Sequence, residues 1–302
     1  MRTIKEIMEA AKKVTPKKIS VAVAHDYDVL SAISKAKKKN IAGAILVGDK
    51  EKIEKIAEDN SISIEGFEII DIKDEAEAAR KAVELVSEGK AHIVMKGLLE
   101  TSTFMKAVLD PEIGLRTGSI ISCVGMAEID GFDKLIFYSD PAMNPVPNLK
   151  TKKEILANAV KVARAVGVEN PKVAILSAKE NVDPKLPSTA EAKELEEMNK
   201  RGEITGCMVA GPLSLDIAVS KKSAEHKKYD NPVGGDADIL LFPNLEVGNV
   251  FYKALIYLAK AKTAGIVTGA KAPVIITSRA DSDMKKLASI ALCVLMAEQY
   301  EA

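Results

Sequence analysis

The feature that most constrains the fold of this chain is the regular alternation of short aliphatic runs with longer amphipathic stretches. Residues 19–24 and 43–48 are aliphatic runs of strand length, and residues 27–39 between them carry the apolar spacing of a helix. Strand–helix–strand repetition of this kind produces a parallel sheet that is covered by helices on both faces. The sequence therefore predicts an α/β fold with mainly parallel sheets.

The alternation is interrupted in the middle of the chain, which indicates a division into two lobes. Residues 119–127 and 135–138 are strand-like and are joined by a short segment with an Asp-Gly turn, which predicts a hairpin. We therefore predict two α/β/α lobes: a discontinuous first lobe of residues 1–129 and 266–302, and a second lobe of residues 130–265. We expect an active-site cleft between them, because ligands bind outside the carboxyl ends of parallel strands.

Charge and composition disfavour several classes of protein. The chain has 43 Lys and Arg residues against 43 Asp and Glu residues, so it lacks the basic excess with which nucleic-acid-binding proteins neutralise phosphates. Its apolar runs are far shorter than the ~20 residues that span a bilayer, so we expect no membrane association. Cys123, Cys207 and Cys293 are isolated in the sequence, as free thiols in a reducing compartment would be. These properties predict a cytoplasmic protein.

The common nucleotide and metal motifs are absent from the sequence. There is no G-x-x-x-x-G-K-[ST] loop and no G-x-G-x-x-G after the first strand, which disfavours a P-loop enzyme and a dinucleotide-binding enzyme. The 3 histidines are scattered and form no H-E-x-x-H motif or Cys/His cluster, which disfavours a zinc site. We therefore expect no bound metal.

A first cluster of reactive side chains follows the last predicted strand. Ser278 and Arg279 stand at the carboxyl end of this strand, and Asp281 and Asp283 come just before the final helix. The guanidinium fork of an arginine suits a phosphate or a developing oxyanion, and a carboxylate can take a proton from a nucleophile. The alternative is that Asp281 or Ser282 caps the final helix and that Asp283 interacts with its dipole.

A second cluster follows the strand that ends near residue 95. It joins two lysines, a glycine and a hydroxyl-rich turn that opens a helix, where backbone N–H groups are free to bind an anion. Ordinary capping would explain one of the hydroxyls but not three in a row. The residues of this cluster are Lys96, Gly97, Thr101, Ser102, Thr103 and Lys106.

A third cluster follows the strand that ends at Pro243. A polar loop leads to Asn249, which we expect to begin a helix that carries Lys253. Both residues are candidates for binding a substrate. The alternatives are that Asn249 is only a helix cap and that Lys253 is only a solvated surface residue.

Taken together and in this order, the three clusters resemble the phosphate acyltransferases, the family of phosphate acetyltransferase and phosphate butyryltransferase. The resemblance covers most of the chain and is most specific in its second half. The segments that match family motifs are residues 138–143, 173–177, 231–238, 243–253 and 277–282. The resemblance implies acyl transfer between coenzyme A, which is a substrate, and inorganic phosphate, with no permanently bound cofactor. It also implies a homodimer or a larger homo-oligomer.

The resemblance further implies a role for each cluster. Ser278 would orient the CoA thiol, and Arg279 would stabilise charge at the reacting centre. The three hydroxyls of the second cluster would hold the phosphoryl group, with Lys106 near the place of a family arginine. Lys253 would assist at the acyl phosphate. Removing one such donor to developing charge typically costs on the order of 3–4 kcal/mol of barrier.

One departure from the family pattern bears on the general base and on the acyl group. Acetyl-specific members carry an aspartate where Lys285 stands in this chain, so the base must be another group, and Asp281 is our first choice before Asp283. The sequence of residues 278–282 resembles the butyryl branch of the family more closely than the acetyl branch. We therefore expect a butyryl group as the favoured acyl group.

Three other functions remain open from the sequence. The first is a phosphate acetyltransferase. The second is a metal-dependent decarboxylating dehydrogenase, which also pairs two α/β lobes, although the sequence offers neither a dinucleotide fingerprint nor a cluster of aspartates. The third is a non-catalytic protein that binds CoA or an acyl phosphate and has lost the base.

Overall fold

The computed structural model of the chain describes residues 1–278 and 281–301. By its internal contacts the chain divides into two compact units, which are described separately below. The first unit consists of Ile4–Ser119 and Ala264–Ala302, and the second unit consists of Met1–Thr3 and Ile120–Thr263.

The described residues form helices and strands in regular succession. Up to residue 108 these are α1 (Ile4–Ala11), β1 (Lys17–Ala22), α2 (Tyr27–Lys38), β2 (Ala42–Gly48), α3 (Lys50–Asp59), β3 (Glu68–Asp71), α4 (Glu75–Ser87), β4 (Ile93–Lys96) and α5 (Thr101–Val108). They continue with β5 (Ser122–Glu128), β6 (Ile136–Ser139), α6 (Leu149–Ala165), β7 (Lys172–Leu176), α7 (Pro187–Lys200), β8 (Met208–Leu213), α8 (Leu215–Val219), α9 (Lys221–His226), β9 (Ile239–Leu241) and α10 (Leu245–Tyr257). The last are β10 (Lys262–Thr268), β11 (Val274–Ile275) and α11 (Asp283–Glu301).

The first unit is built on a sheet with the strand order β3-β2-β1-β4-β11-β10. All neighbours in it pair in parallel except β10 and β11, which are antiparallel. Strand β1 lies in the interior of this sheet, and Ile19 and Val21 on it are completely buried. Continuous aliphatic strands are expected here because helices cover both faces of such a sheet.

The second unit is built on strands in the order β5-β6-β9-β7-β8. Strands β5 and β6 form the antiparallel hairpin that the Asp-Gly turn predicts, with Val124 opposite Ser139. The pairs β6–β9, β9–β7 and β7–β8 are parallel. The prediction of an α/β fold with mainly parallel sheets is therefore confirmed.

The boundary between the units differs from the sequence-based boundary. The crossing lies after residue 119 instead of 129, and the return lies after residue 263 instead of 265. The crossing comes earlier because β5 pairs with every residue of β6, so that both strands of the hairpin belong to the second unit.

Two elements of the second unit differ from what the sequence pattern indicates. Strand β8 escapes the sequence analysis because it contains Gly211 and Pro212, which are typical of a turn; its place at the end of the strand order tolerates a proline that cannot donate a ladder hydrogen bond. The pattern Ser188-Thr-Ala-Glu191 is that of a capping box and predicts Ser188 as a helix cap, but helix α7 begins at Pro187 and Leu186 occupies its cap position. Ser188 instead forms a hydrogen bond with the hydroxyl of Ser177, 3.0 Å away.

Helix α11 contributes much of the apolar core of the first unit. It runs for 19 residues, and its aliphatic side chains, among them Leu287, Ile290 and Leu292, are fully buried. It packs against α1 and α2. Among the residues that the structure describes, no helix combines the length and the apolar character that crossing a membrane requires.

A network of charges joins three strands of the second unit where they begin. Lys134 Nζ lies 2.8 Å from Oδ1 of Asp236 and 2.7 Å from Oδ1 of Asp238, and Lys172 Nζ binds Oδ2 of Asp236. Partial burial would raise the pKa of Asp236. The hydrogen bonds from the two lysines outweigh burial and lower the pKa to about 2.

Because of these contacts, we expect Asp236 to make the free energy of unfolding decrease at low pH. Because its pKa falls from 3.8 to about 2 on folding, the stabilising effect is complete above 3.8 and is lost as the pH falls toward 2. The side chain is 37% exposed, so we expect only about 1–2 kcal/mol. In urea unfolding at several pH values, Asp236→Asn should be less stable at neutral pH and lose less stability on acidification. Equal acid losses in both chains would contradict this origin.

Candidate active site

The carboxyl ends of β1, β4 and β11 meet at one edge of the first unit's sheet, because the three strands are parallel neighbours. Lys96 is the last residue of β4, and Gly97 follows it. Ser278 follows β11. The structure therefore brings the first and second predicted clusters to the same edge of the sheet, which is where substrates bind in parallel α/β folds.

Gly97 allows the chain to leave β4 in close contact with β1. Its N–H donates to the carbonyl of Ala22 at 2.8 Å, and the N–H of Leu98 donates to the carbonyl of Val23 at 2.9 Å. A Cβ at position 97 would lie only 2.2 Å from the oxygen of Val23. Only glycine is compatible with this approach, so Gly97 shapes the site through its backbone.

Gly97→Ala is expected to lower the free energy of unfolding by about 2–3 kcal/mol, because the new methyl group forces the ends of β1 and β4 apart. Gly43→Ala in β2 is the matched control, since the nearest atom to its Cβ is Lys18 Cγ at 3.9 Å. Guanidinium unfolding followed by circular dichroism compares the two variants. Equal stability of the two would show that the Gly97 backbone can move without cost.

The ammonium group of Lys96 lies beneath the loop that follows β4. The side chain is buried, and Nζ donates to the carbonyls of Gly97 at 3.2 Å and of Leu99 at 2.9 Å. The charge predicted for anion binding is therefore engaged with the main chain of this loop. These contacts fix the path of the chain into α5.

The hydroxyl-rich segment forms the first turn of α5. Thr101 and Ser102 are exposed and Thr103 is half-buried, while Glu100 occupies the cap position and its side chain makes no capping hydrogen bond in the described part of the chain. The three hydroxyls therefore do not act as the helix cap, which removes the alternative interpretation. The first turn of a helix presents unbonded N–H groups and a positive dipole end, which suit an anion. Lys106 is exposed one turn further along.

Two hydrogen bonds join Ser278 and Asp281. The N–H of Ser278 donates to Oδ2 of Asp281 at 2.8 Å, and the N–H of Asp281 donates to the carbonyl of Ser278 at 3.1 Å. Oδ1 of Asp281 forms an ion pair with Lys285 at 2.7 Å. Arg279, the other predicted catalytic residue, lies outside the described residues. A carboxylate has about four lone-pair sites, so each oxygen of Asp281 retains capacity for one more proton donor.

The structure separates the two aspartates that compete for the role of base. Asp283 Oδ2 accepts from Ser31 Oγ at 3.0 Å and pairs with Lys35, so this carboxylate links α11 to α2. The hydrogen bond from Lys35 lowers the pKa of Asp283 below its usual value. Ser282 supplies a capping contact to α11, since its Oγ accepts from the N–H of Lys285 at 3.3 Å. Asp281, which contacts Ser278 directly, is therefore better placed.

The third predicted cluster lies in the second unit, on α10. The expectation that Asn249 begins this helix is wrong, because Asn244 is the cap and accepts from the N–H of Val247 at 3.0 Å. Asn249 lies one turn inside the helix, where its amide donates to the carbonyl of Pro141 at 3.3 Å. Lys253 is exposed, with Nζ 5.9 Å from the centre of the Tyr252 ring.

Asp140 is a residue of this region that the sequence analysis did not single out. It follows β6 and is buried, and its Oδ1 accepts from the N–H groups of Ala142 and Met143 at 2.9 and 3.0 Å. Burial raises the pKa of this carboxyl group. Gly248 packs so closely against it that a Cβ there would lie 2.6 Å from the carbonyl oxygen of Asp140. An Asp-Pro pair directly after a strand is the signal in the sequence.

The described side chains offer no cluster of metal ligands. Within residues 1–278 and 281–301, no group of three or more His, Cys, Asp or Glu side chains is arranged to hold one. The groups at the sheet edge are hydroxyls, ammonium groups and backbone N–H donors, with Asp281 as the acceptor beside Ser278. This set can bind a phosphate and take up a proton.

The chain matches a known protein family over most of its length. The family described as phosphate acetyl/butaryl transferase matches residues 2–82 and 75–294. A phosphate butyryltransferase from Clostridium acetobutylicum is 50% identical over 98% of this chain and 99% of its own length. A phosphate acetyltransferase from Thermotoga maritima is 44% identical over 93% of this chain and 95% of its own length.

A solved structure agrees with these sequence matches. The crystal structure of a branched-chain phosphotransacylase from Enterococcus faecalis V583 superposes with a TM-score of 0.82 and is 36% identical in sequence. It covers 93% of this chain and 99% of that protein. The chain therefore belongs to the phosphate acetyl/butyryl transferase family.

Proposed function

We propose that this chain catalyses the reversible reaction of a short-chain acyl-CoA with inorganic phosphate to give an acyl phosphate and CoA, with butyryl as the favoured acyl group. The observation that carries the proposal is the edge of the first unit's sheet, where β4, which leads to the first turn of α5, and β11, which leads to Ser278 and Asp281, end as parallel neighbours. The identity of 50% to a phosphate butyryltransferase supports the choice of acyl group.

In the direction of acyl-CoA synthesis, the sulfur of CoA attacks the carbonyl carbon of the acyl phosphate, and the bond from that carbon to the phosphate oxygen breaks. Ser278 orients the thiol and Asp281 takes its proton. Negative charge develops on the carbonyl oxygen and on the departing phosphate, and Arg279 stabilises it at the reacting centre. The protein therefore acts mainly by positioning the reactants and by supplying fixed donors to developing charge.

The remaining candidates are substrate-binding residues in this proposal. The hydroxyl groups of Thr101, Ser102 and Thr103 donate hydrogen bonds to the phosphoryl oxygens. Lys106 adds a positive charge to the same helix. Lys96 and Gly97 shape the loop that leads into this helix, as their backbone contacts indicate. Asn249 and Lys253, on α10 of the second unit, are also assigned to substrate binding in this proposal.

The choice of acyl group is tested by assaying phosphate-dependent release of CoA from acetyl-CoA, butyryl-CoA and isobutyryl-CoA side by side. We expect the highest kcat/KM with butyryl-CoA. A clear preference for acetyl-CoA would make the chain a phosphate acetyltransferase, as the relative at 44% identity is named. Binding of CoA without turnover of any of the three would favour a non-catalytic binding protein.

We further propose that the chain works as a homodimer or larger homo-oligomer in the cytoplasm, with CoA as substrate and no permanently bound cofactor. Support for self-association comes from α10 and the residue after it, where Val250 is 69% exposed and Leu258 is 81% exposed. Val247 and Tyr257 of α10 are also exposed, so the helix presents several apolar side chains to solvent, and a patch of this kind marks a surface that another subunit can cover. The three cysteines are free, in keeping with a reducing compartment. Sedimentation velocity tests the oligomeric state.

A further inference from the structure

Lys286 places a buried ammonium group where a positive charge is costly. The residue is 2% exposed and lies in the first turn of α11. The beginning of a helix carries the positive end of its dipole, so a cation there is repelled. Removing an ammonium group from water adds a further penalty unless its protons are hydrogen bonded. A position of this kind requires specific compensating contacts.

The contacts of Lys286 are with the segment that carries the proposed catalytic serine. Its Nζ donates to the main-chain carbonyl of Ser278 at 3.4 Å and to the main-chain carbonyl of Asp281. The carboxylate groups around it are engaged elsewhere, because Asp281 pairs with Lys285 and Asp283 pairs with Lys35. In the described part of the chain, the ammonium of Lys286 is therefore directed at two carbonyl groups.

Together these contacts hold the main chain of Ser278 from both sides. Its N–H donates to the Asp281 carboxylate, and its carbonyl accepts from the N–H of Asp281 and from Lys286. An ammonium group has three protons and can bridge two carbonyls, whereas an apolar side chain of the same length would leave both carbonyls without this donor. The hydrogen bonds to the carbonyls of Ser278 and Asp281 thus offset the free energy that burial of the charge costs.

We infer that Lys286 is a positioning residue for Ser278: its ammonium holds the carbonyls of Ser278 and Asp281 and so fixes the serine hydroxyl relative to the substrate. The inference rests on the proposed function of this edge of the sheet. Lys286 would therefore affect kcat/KM although its side chain is buried.

The test is a double-mutant cycle on kcat/KM for butyryl-CoA and phosphate. Lys286→Met removes the donors but keeps most of the length of the side chain, and we expect a loss of about 30-fold, since misplacing a catalytic group by about 1 Å can cost about a hundredfold. In a Ser278→Ala chain the same substitution should cost less than about threefold, because the group that it positions is already gone. Lys286→Gln, which can still donate to a carbonyl, should recover part of the rate.

Lys17→Met is the matched control for a merely structural effect. Lys17 is a buried lysine of the same unit, at the start of β1, and it pairs with Glu298 at 2.8 Å. We expect this variant to have a lower Tm with kcat/KM within about twofold of the unchanged chain, because distant sites act independently. All assays are run well below the lowest Tm, and Lys286→Gln replaces Lys286→Met if the latter does not fold.

Equal losses with and without Ser278 would overturn the inference. A rate loss that follows Tm, as in the Lys17→Met control, would also overturn it. If the unchanged chain releases no CoA from any acyl-CoA, the proposed function fails and the inference fails with it. If the unchanged chain is active and the coupling is absent, only the role of Lys286 is lost.

Discussion

Arg279→Ala is expected to lower kcat at least about a hundredfold while the fold stays intact. A donor that acts on charge developing in the transition state is worth about 10²–10³ in rate, or roughly 3–4 kcal/mol of barrier. The reaction creates such charge twice, on the carbonyl oxygen and on the departing phosphate. Turnover of butyryl phosphate and CoA, measured at saturating concentrations of both, reads this loss directly.

Two further variants show whether the effect belongs to the guanidinium group. Arg279→Lys keeps the charge but loses the planar fork, so we expect it to recover only a small part of the rate. Arg80→Ala removes an arginine of the same unit that pairs with Asp110 on the surface, and it should leave kcat unchanged. A nearly normal kcat in Arg279→Ala would remove Arg279 from the catalytic set.

Asp281→Asn is expected to lower kcat/KM at neutral pH about a hundredfold, because general bases typically contribute about 10²–10⁴ in rate. An asparagine can still accept the N–H of Ser278 through its amide oxygen, but it cannot take a proton from the thiol. The rate of the variant should therefore rise with pH toward the pKa of the CoA thiol, as hydroxide from solvent supplies the thiolate. The deficit should shrink correspondingly.

The pH dependence distinguishes a base from a residue that only supports the Ser278 segment. Asp283→Asn is the control, since that carboxylate is held by Ser31 and Lys35 and should affect stability without changing the pH profile. A support role for Asp281 would give a rate deficit that is the same at every pH. An unchanged rate and pH profile in Asp281→Asn would assign the base to another group.

The sequence was sufficient to predict most of the fold, because aliphatic runs and helix caps act locally. Aspartate favours the cap position of a helix, and Asp74 caps α4, where its Oδ1 accepts from the N–H of Glu77 at 2.8 Å. Strand β8 was missed because its Gly-Pro pair is typical of a turn, and only its place at the end of the strand order makes a proline acceptable there. The helix after Pro243 was placed too late because two asparagines compete for its cap.

The chemistry of the site was less predictable than the location of its residues. The order of strands and loops was enough to place Lys96 and Ser278 at the ends of strands, which the structure shows to be parallel neighbours. No sequence pattern, however, shows that Lys96 binds the carbonyls of its own loop or that Asp281 accepts from Ser278. Such contacts depend on side-chain directions and burial, which appear only when the strands are assembled.

The most direct test of the central claim is the balance of products from butyryl-CoA. The purified chain is incubated with butyryl-CoA and a chelator, with and without inorganic phosphate, and free CoA and butyryl phosphate are both quantified. The proposed reaction predicts equal amounts of the two products, formed only when phosphate is present and unaffected by the chelator. Release of CoA without phosphate, or no release at all, would contradict it.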